Sequence, residues 1–424
     1  MVVRFRALQN IKSTWAAVWA ALGLVAVAVG LGFIVNSASA IGGGATLVVD
    51  DDGQATANNC NSGAATPHST ISSAIAAVGA GNVIKVCPGT YTENLTIDKA
   101  LTLKGAKAGE SVKYRTFGGS SEATVMGLVT IQAADVKLEG FSLTNPGQAL
   151  GVIVKTAGSN AEIKKNIVQT VGSNTFAGPT VGMYLELGPD NVKVLGNKIS
   201  DIQSQTGSAQ GILVGDSTSA DPSLDTRIDS NFISNITSEQ RGAYGIQANN
   251  GASTAPTATG YAELSMSGNT IKTLRGNWVH AIGLEGETPN AEVLYNTIND
   301  ITDTNPVPTS DTAGVFFESN PFFFTSEVNQ NNLAVTPSNH GIVVHPTLAS
   351  LYPSLSVDGE CNWWGSRQGP GAVASGNGSM VSSNVDYRPW LKSDSLGRDC
   401  GGRDHHDNDR HYGDWAKKHD WYKD

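Results

Sequence analysis

Short apolar segments recur along the chain, and each of them starts at a glycine. The segments are GVIVK from Gly151, GMYLE from Gly182, GILVG from Gly211, GIQAN from Gly245, GLEGE from Gly283, GVFFE from Gly314 and GIVVH from Gly341. Successive starting glycines lie about thirty residues apart. Between them runs a second signal, an asparagine followed two positions later by an apolar residue, at Asn166, Asn197, Asn231, Asn269, Asn296 and Asn332.

Two strand signals in each period of this length predict a parallel β-solenoid in which one period is one coil. A helical solenoid would need longer periodic segments, and a propeller blade would need four strands in about 40–45 residues. In a parallel solenoid, strands of successive coils stack about 4.8 Å apart. Residues at equivalent positions then form columns along the axis.

The asparagine column is expected to form a hydrogen-bonded ladder at one turn of the coil. The plainer alternative is the general preference of asparagine for turns. Phe141 occupies the asparagine position one coil before the series, and Asn362 is expected to be its seventh rung. Trp363 and Trp364 follow Asn362 directly. We expect them to begin a terminal cap, with stacking on a sugar as the alternative.

Both ends of the repeat region carry cap signals. The segment from Ser69 to Val78 (STISSAIAAV) has a Ser/Thr start and helical spacing of apolar residues, which predicts a short amphipathic helix over the first coil. At the other end, VDYRPWL from Val385 to Leu391 supplies a second aromatic cap segment.

These end motifs carry a family resemblance. The stretch from VDDDG (Val49 to Gly53) through STISSAIAAVGAGNVIKVCPGTYTENLTIDKALTLKGAKAG, and NWWGSRQGP with VDYRPWL, resemble secreted prokaryotic proteins of the pectin lyase-like superfamily. The resemblance covers nearly all of residues 46–392 and implies export. It also implies an all-β fold, a single-stranded right-handed parallel β-helix with an N-terminal capping helix. It implies no activity, because that superfamily spans lyases, hydrolases, esterases, epimerases and members that only bind ligands or have structural roles.

The termini differ from the repeat region. Arg4, Arg6 and Lys12 precede an apolar run from about Trp15 to Val35, which predicts a signal peptide over residues 1–40. The run is long for a signal core, so an uncleaved anchor is the alternative and the only expected membrane contact. Residues 41–392 form the predicted β-helix domain. Residues 393–424 form a charged His/Asp-rich tail that we expect to be disordered, with weak metal binding by its histidines as the alternative.

Charge and cysteine content agree with export. The net charge of −10 becomes −13 without the three N-terminal cations, which argues against nucleic acid as a partner. Four cysteines allow three pairings, of which we favour the local ones, Cys60 with Cys87 and Cys361 with Cys400. One reduced, buried pair is the alternative. We predict a secreted or cell-surface monomer.

The sequence contains no catalytic signature that we recognise. GTYTE, from Gly89 to Glu93, resembles the first motif of pectin methylesterases, where it is structural, but the later aspartate and arginine motifs of that family have no counterpart. The paired-aspartate and Arg-x-Lys motifs of polygalacturonases are also missing. Whether the protein is an enzyme is left open by the sequence; a polysaccharide lyase or a glycoside hydrolase would be the class.

The columns nevertheless predict a site on the outer face of the glycine-led strands. Counting each glycine as zero, positions +1 and +3 are mostly apolar and point inward, so +2 and +4 point outward. Three outward residues of successive coils, Glu287, Glu318 and His345, could ligate a divalent cation such as calcium. They could equally act as weak catalytic candidates, since neighbouring carboxylates push their pKa values apart. Further expected ligand-binding residues on this face are Tyr184, Glu186, Gln247, Asn249, Glu285 and Phe316.

The function predicted from these residues is binding, with processing as an extension, of an extracellular polysaccharide or cell-surface glycan. Two alternatives stay open at this point. One is a structural or adhesive surface protein without a catalytic site. The other is that the outward polar residues simply keep the sheet soluble.

Overall fold

The computed structural model describes residues 46–52, 60, 68–186, 188–215, 225–250, 264–286, 288–305, 311–320, 322–336, 338–373, 375–398 and 400. The predicted signal peptide, residues 401–424 of the predicted tail and Glu287 lie outside the described residues. The predicted domain boundaries therefore remain predictions.

Strands make up most of the described chain. The first fifteen are β1 (Thr46–Val49), β2 (Asn82–Val86), β3 (Gly89–Tyr91), β4 (Leu95–Ile97), β5 (Leu101–Lys104), β6 (Ala123–Met126), β7 (Val129–Ile131), β8 (Lys137–Glu139), β9 (Ser142–Pro146), β10 (Leu150–Val154), β11 (Glu162–Lys164), β12 (Ile167–Gly172), β13 (Thr180–Leu185), β14 (Lys193–Leu195) and β15 (Lys198–Ser204). The others are β16 (Ala209–Val214), β17 (Thr226–Asp229), β18 (Phe232–Ser238), β19 (Gly242–Asn250), β20 (Leu264–Ser267), β21 (Thr270–Gly276), β22 (Trp278–Gly286), β23 (Glu292–Leu294), β24 (Thr297–Asp303), β25 (Ala313–Glu318), β26 (Glu327–Asn329), β27 (His340–Val344), β28 (Val357–Asp358), β29 (Gly371–Ala372), β30 (Met380–Val381) and β31 (Val385–Asp386).

These strands form three parallel sheets along one axis. Sheet 1 has the order β1-β2-β5-β8-β11-β14-β17-β20-β23-β26-β28-β31. Sheet 2 has the order β29-β30-β27-β25-β22-β19-β16-β13-β10-β7-β4, and sheet 3 has the order β24-β21-β18-β15-β12-β9-β6-β3. Through the middle of the chain, every third strand pairs with its equivalent in the next coil. This is the predicted single-stranded right-handed parallel β-helix, and its hand is the one that parallel crossovers favour.

The core lies between the three sheets and is built from columns of inward apolar residues. In sheet 2 one such column is fully buried and consists of Val152, Met183, Ile212, Ile246, Ile282, Val315 and Ile342. The glycine column beside it has a steric reason. A Cβ on Gly182 would lie 2.7 Å from the carbonyl oxygen of Gly211, so the two backbones could not approach as closely with most other residues.

An asparagine ladder connects the turns between sheet 1 and sheet 3. Its rungs are Asn166, Asn197, Asn231, Asn269, Asn296, Asn331 and Asn362. The N–H and Nδ2 of Asn197 donate to Oδ1 of Asn231 at 2.9 and 3.1 Å, and Nδ2 also donates to the Ile163 carbonyl oxygen at 2.9 Å. This pattern repeats from coil to coil, so the ladder amides are hydrogen-bonded to neighbouring asparagines and to main-chain carbonyl oxygens.

One predicted rung was wrong by a single residue. Asn331, not Asn332, donates to Oδ1 of Asn362, at 2.8 Å from its main-chain N–H. Asn332 instead forms bridges to strand residue Thr297 and to Trp363. The ladder begins as expected at Phe141, whose N–H donates to Oδ1 of Asn166 at 3.0 Å.

The N-terminal end carries the expected capping helix, α1 (Ile71–Ala77). Thr70 caps it, and the carboxylate of Glu93 accepts hydrogen bonds from the N–H groups of Ile71 and Ser72 at 2.8 and 2.9 Å. The last residue of GTYTE therefore holds a helix N-terminus, where negative charge is favourable. No helix in the described part of the chain is long and apolar enough to cross a bilayer.

The C-terminal end is closed by Trp364, whose side chain is fully buried. A Cβ on Gly341 would lie 2.6 Å from its ring, so the indole fills the space that this glycine leaves open. Trp363 is half-buried and forms a bridge to Asn332. Trp364 is thus part of the core and is not open to a sugar ring.

Both predicted local disulfides are present, Cys60–Cys87 and Cys361–Cys400, each with a Cα–Cα distance of 5.5 Å. The second joins the residue before the last rung to the end of the described chain. Gln330 strengthens this attachment, since it accepts from the N–H of Gly397 and donates to the Arg398 carbonyl oxygen, both at 3.0 Å. The second helix, α2 (Pro346–Leu351), also lies toward this end of the chain, and 3-10 turns lie at Val112–Tyr114 and Phe323–Thr325.

Candidate functional site

The outer face of sheet 2 brings the predicted site residues into two columns. One column follows the register Tyr184–Leu213–Gln247–Gly283–Phe316 on β13, β16, β19, β22 and β25. The other pairs Asn249 with Glu285 and Glu285 with Glu318. These columns are the surface that the sequence predicted, with one change of register.

The register in β22 differs from the sequence prediction by two residues. Gly283 was aligned with Gly245, but Ile246 pairs with Ile282, so Ala281 takes the glycine position. Glu285 therefore moves from the +2 to the +4 column and becomes the neighbour of Glu318. Glu287, expected in that position, is not among the described residues.

A row of hydrogen-bonded side chains crosses the coils on this face. The amide of Gln210 donates to Oε1 of Gln247, and Nε2 of Gln247 donates to Oε1 of Glu285 at 2.8 Å. Nδ2 of Asn249 reaches Oε2 of the same carboxylate at 3.4 Å. The row thus links three successive coils and fixes one carboxylate from two sides.

An aromatic stack lies beside this row. The ring of His280 is parallel to the ring of Phe316, with centroids 4.1 Å apart, and meets the Tyr244 ring edge-on at 5.1 Å. Trp278 Nε1 donates to the Tyr244 hydroxyl at 2.9 Å. Phe316 was predicted to bind ligand, but it is 1% exposed, so its ring is not open to a sugar.

Three titratable groups meet at the centre of the face. One ligand atom from each of His280, Glu285 and Glu318 can be chosen so that all three lie within 4.8 Å of one another. Burial raises the pKa of Glu285 to about 7, and the nearby Glu318 carboxylate adds to this rise while the Gln247 hydrogen bond opposes it. Burial also raises the pKa of Glu318, although His345 opposes the shift.

His280 stands out because it is buried and neither ring nitrogen forms a well-aligned hydrogen bond with a described residue. It is 2% exposed, and no described residue forms a hydrogen bond of good geometry with either ring nitrogen. Burial lowers its pKa to about 3; the main chain of Asp311 lies near enough to oppose the shift weakly. The ring is therefore a neutral imidazole at physiological pH.

The predicted metal set of Glu287, Glu318 and His345 stays a prediction, because Glu287 lies outside the described residues. His345 caps α2, and its Nδ1 accepts from the N–H of Thr347 at 3.2 Å. The cluster that could hold a cation consists of His280, Glu285 and Glu318. Farther along the face, Glu186 forms an ion pair with Lys155, and Tyr184 is half-exposed.

Sequence reasoning missed Gln210, Tyr244 and His280. They share one register column, immediately before the glycine position of three successive coils. Their polar or aromatic character at that position was the available signal. It was hidden at His280 because alanine replaces the glycine that follows in the other coils.

A separate open groove lies on the outer face of sheet 3. Its cavity volume is about 370 Å³, and its lining includes Lys198, Phe232, Asn235 and Lys272. The ammonium of Lys272 lies 5.1 Å from the centre of the Phe232 ring. Because this groove lies on a different sheet, Lys272 offers a control position away from the outer face of sheet 2.

Two solved structures of the pectin methylesterase from Aspergillus niger, in two deglycosylated forms, resemble this chain. They share 13% and 14% sequence identity with it, with TM-scores of 0.36 and 0.37. Each comparison covers 89% of this chain and 97% of the other. No family model and no curated protein matches the sequence. At this identity and TM-score, the likeness transfers no residue role or activity to this chain.

Proposed function

We propose that this chain is an exported protein that binds a neutral extracellular polysaccharide along the outer face of sheet 2. The observation that carries the proposal is the row of side chains Gln210, Gln247, Glu285 and Asn249, hydrogen-bonded from coil to coil. The row passes from coil to coil diagonally, because Gln210 pairs with Tyr244 and Gln247 pairs with Gly283 in the sheet register. Successive coils repeat about every 4.8 Å. A linear polymer lying on it would meet an amide or a carboxyl group at each coil.

The chemistry of the row supports a hydroxyl-rich ligand. Amides donate and accept, and carboxylates accept, so together they match the mixed hydrogen bonding of sugar hydroxyls. Gln210 and Gln247 are buried, Asn249 and Glu285 are half-buried, and burial strengthens such bonds. The half-exposed ring of Tyr184, in the same column as Gln247, can stack on a sugar face. Two neighbouring carboxyl groups favour a neutral polymer over a polyanion.

Export is supported by the N-terminal sequence pattern and by the two disulfides. The tail, the monomeric state and the cleavage of the signal peptide remain predictions from the sequence.

A second candidate function is cleavage of the bound polysaccharide. It is favoured by the paired positions of Glu285 and Glu318 on adjacent strands, since glycoside hydrolysis uses two carboxyl groups that flank the scissile bond. New reducing ends would indicate hydrolysis, and unsaturated products would indicate elimination.

The test is a binding panel of neutral and acidic polysaccharides, measured by calorimetry with the full chain. We expect Tyr184→Ala to weaken binding of the preferred neutral polymer about 2- to 10-fold through loss of stacking. Asn249→Ala should weaken it by a similar factor through loss of a hydrogen bond. The matched control is Lys272→Ala on sheet 3, which should leave affinity unchanged.

Two outcomes would overturn the proposal. If Lys272→Ala abolishes binding while the sheet 2 variants bind normally, the site is the sheet 3 groove. If no polysaccharide binds, the structural or adhesive alternative takes its place.

A further inference from the structure

We propose that His280, Glu285 and Glu318 bind a divalent transition-metal ion, with zinc as the best match. This inference goes beyond polysaccharide binding and does not depend on it. The three side chains come from two adjacent strands, β22 and β25, and their ligand atoms already lie within 4.8 Å of one another. Ligand atoms around a tetrahedral zinc ion are about 3.3 Å apart, so modest side-chain rotations would complete the site.

The second, independent observation is the state of His280. A buried imidazole that makes no hydrogen bond costs free energy, and native structures rarely keep one without a reason. Among the described residues none forms a well-aligned hydrogen bond with either of its nitrogens, although the main chain of Asp311 lies close. The ring is nevertheless fixed between Phe316 and Tyr244. A metal ion would satisfy a nitrogen of this ring at its fixed position.

The surroundings of Glu285 have the form of an outer ligand shell. Gln247 and Asn249 each donate to one oxygen of its carboxylate, and each oxygen keeps a second lone pair. Hydrogen bonds of this kind orient metal-binding carboxylates and raise affinity. A divalent cation would also remove the repulsion between the two neighbouring carboxylates.

The donor set selects the type of metal. Calcium and magnesium prefer oxygen donors, whereas imidazole suits zinc, copper, iron and nickel. Zinc accepts one imidazole and two carboxylates and leaves a fourth position for water or a ligand oxygen. We therefore propose zinc in place of the calcium expected from the sequence, because one of the three donors is an imidazole.

The experiment is a zinc titration of the full, chelator-treated chain by calorimetry, with calcium and magnesium as competitors. The four tail histidines, His405, His406, His411 and His419, are replaced by alanine in the background, because they could bind zinc themselves. We expect one zinc per chain, with a dissociation constant of about 1 µM or lower. Cobalt in the same site should give visible absorption typical of tetrahedral coordination.

His280→Phe and Glu318→Gln should each weaken zinc binding by about 100-fold or more, since each removes a direct ligand. The matched control is His340→Phe, which changes another histidine of the same register column and should bind zinc normally. Thermal denaturation without metal checks that every variant is folded.

The inference is overturned if zinc binding disappears in the tail-histidine background, or if His280→Phe binds zinc as tightly as the parent. Equal affinity for calcium would overturn the choice of metal. A chain that binds polysaccharide but not zinc would refute this inference alone. A chain that binds zinc but not polysaccharide would refute the proposed function alone.

Discussion

The asparagine ladder and the outer face of sheet 2 both carry polar side chains that are hydrogen-bonded from coil to coil, but the hydrogen-bonding capacity of their polar groups is satisfied to different extents. In the ladder, the amide of Asn231 accepts two hydrogen bonds from Asn197 and donates to Asn269 and to Val194. On the outer face of sheet 2, the carboxyl groups of Glu285 and Glu318 are neighbours, and His280 forms no well-aligned hydrogen bond with a described residue.

The difference distinguishes polar groups that stabilise the fold from polar groups that are available to bind a ligand. A buried polar network in which every group is satisfied makes a structure unique and rigid. A partly satisfied network is unfavourable, and proteins keep one chiefly where function requires it. The same repeat geometry therefore supports a structural column on one side and a candidate site on another.

Breaking the ladder should give the largest effect. Asn231→Leu removes the acceptor for Asn197 and the side-chain donor to the Val194 carbonyl oxygen, so we expect the free energy of unfolding to fall by about 3–5 kcal/mol. Urea denaturation measures it. Asn299→Ala, at a half-exposed position of β24, is the control and should change stability by about 0.5 kcal/mol or less. A similar small loss for Asn231→Leu would show that the ladder is not structural.

The second test concerns pH, in the metal-free protein. The pKa of Glu285 is raised from its ordinary value of 4.5 to about 7, so the folded state holds a proton that the unfolded state releases. Its contribution to stability is complete below pH 4.5 and is lost as pH rises through 7. Relative to Glu285→Gln, the parent should lose about 2–3 kcal/mol between pH 4.5 and pH 8. Parallel pH profiles of the two proteins would contradict the raised pKa.

The smallest expected effect is an increase in stability. His280→Phe replaces an unpartnered imidazole with an apolar ring in the same stack, so the metal-free protein should become about 1 kcal/mol more stable. Thermal and urea denaturation at pH 7 with chelator measure the change. A loss of stability of more than about 1 kcal/mol would show that the imidazole makes a stabilising bond, so that its role is structural like that of the ladder asparagines.

The sequence was sufficient to predict the fold because the glycine and asparagine columns repeat in successive coils. Glycine-led strands and asparagine turns each occur in successive coils, so their common spacing predicted the solenoid even where one member was misplaced. The Asn332 error arose from two adjacent asparagines, Asn331 and Asn332, both of which fit the local pattern. Only hydrogen bonding to the neighbouring coils distinguishes them.

The site was harder to predict for a physical reason. Alternation along a strand tells which side chains point outward, but not which outward side chains become buried. Gly283 resembles a column glycine, and Ala281 takes its place because the neighbouring strands fix the register. His280 could be recognised as part of the site only once its pairing with Tyr244 and its burial were known.

The ladder also affects how many residues can be inserted into a single coil. The sequence separation between successive rungs ranges from 27 residues, for Asn269 and Asn296, to 38 residues, for Asn231 and Asn269, while their hydrogen bonds keep the same lengths within a few tenths of an ångström. A coil can thus gain or lose about ten residues without altering the axial repeat. The frame tolerates insertions wherever a loop leaves the sheets, so new recognition surfaces can be added to one coil without disturbing the next.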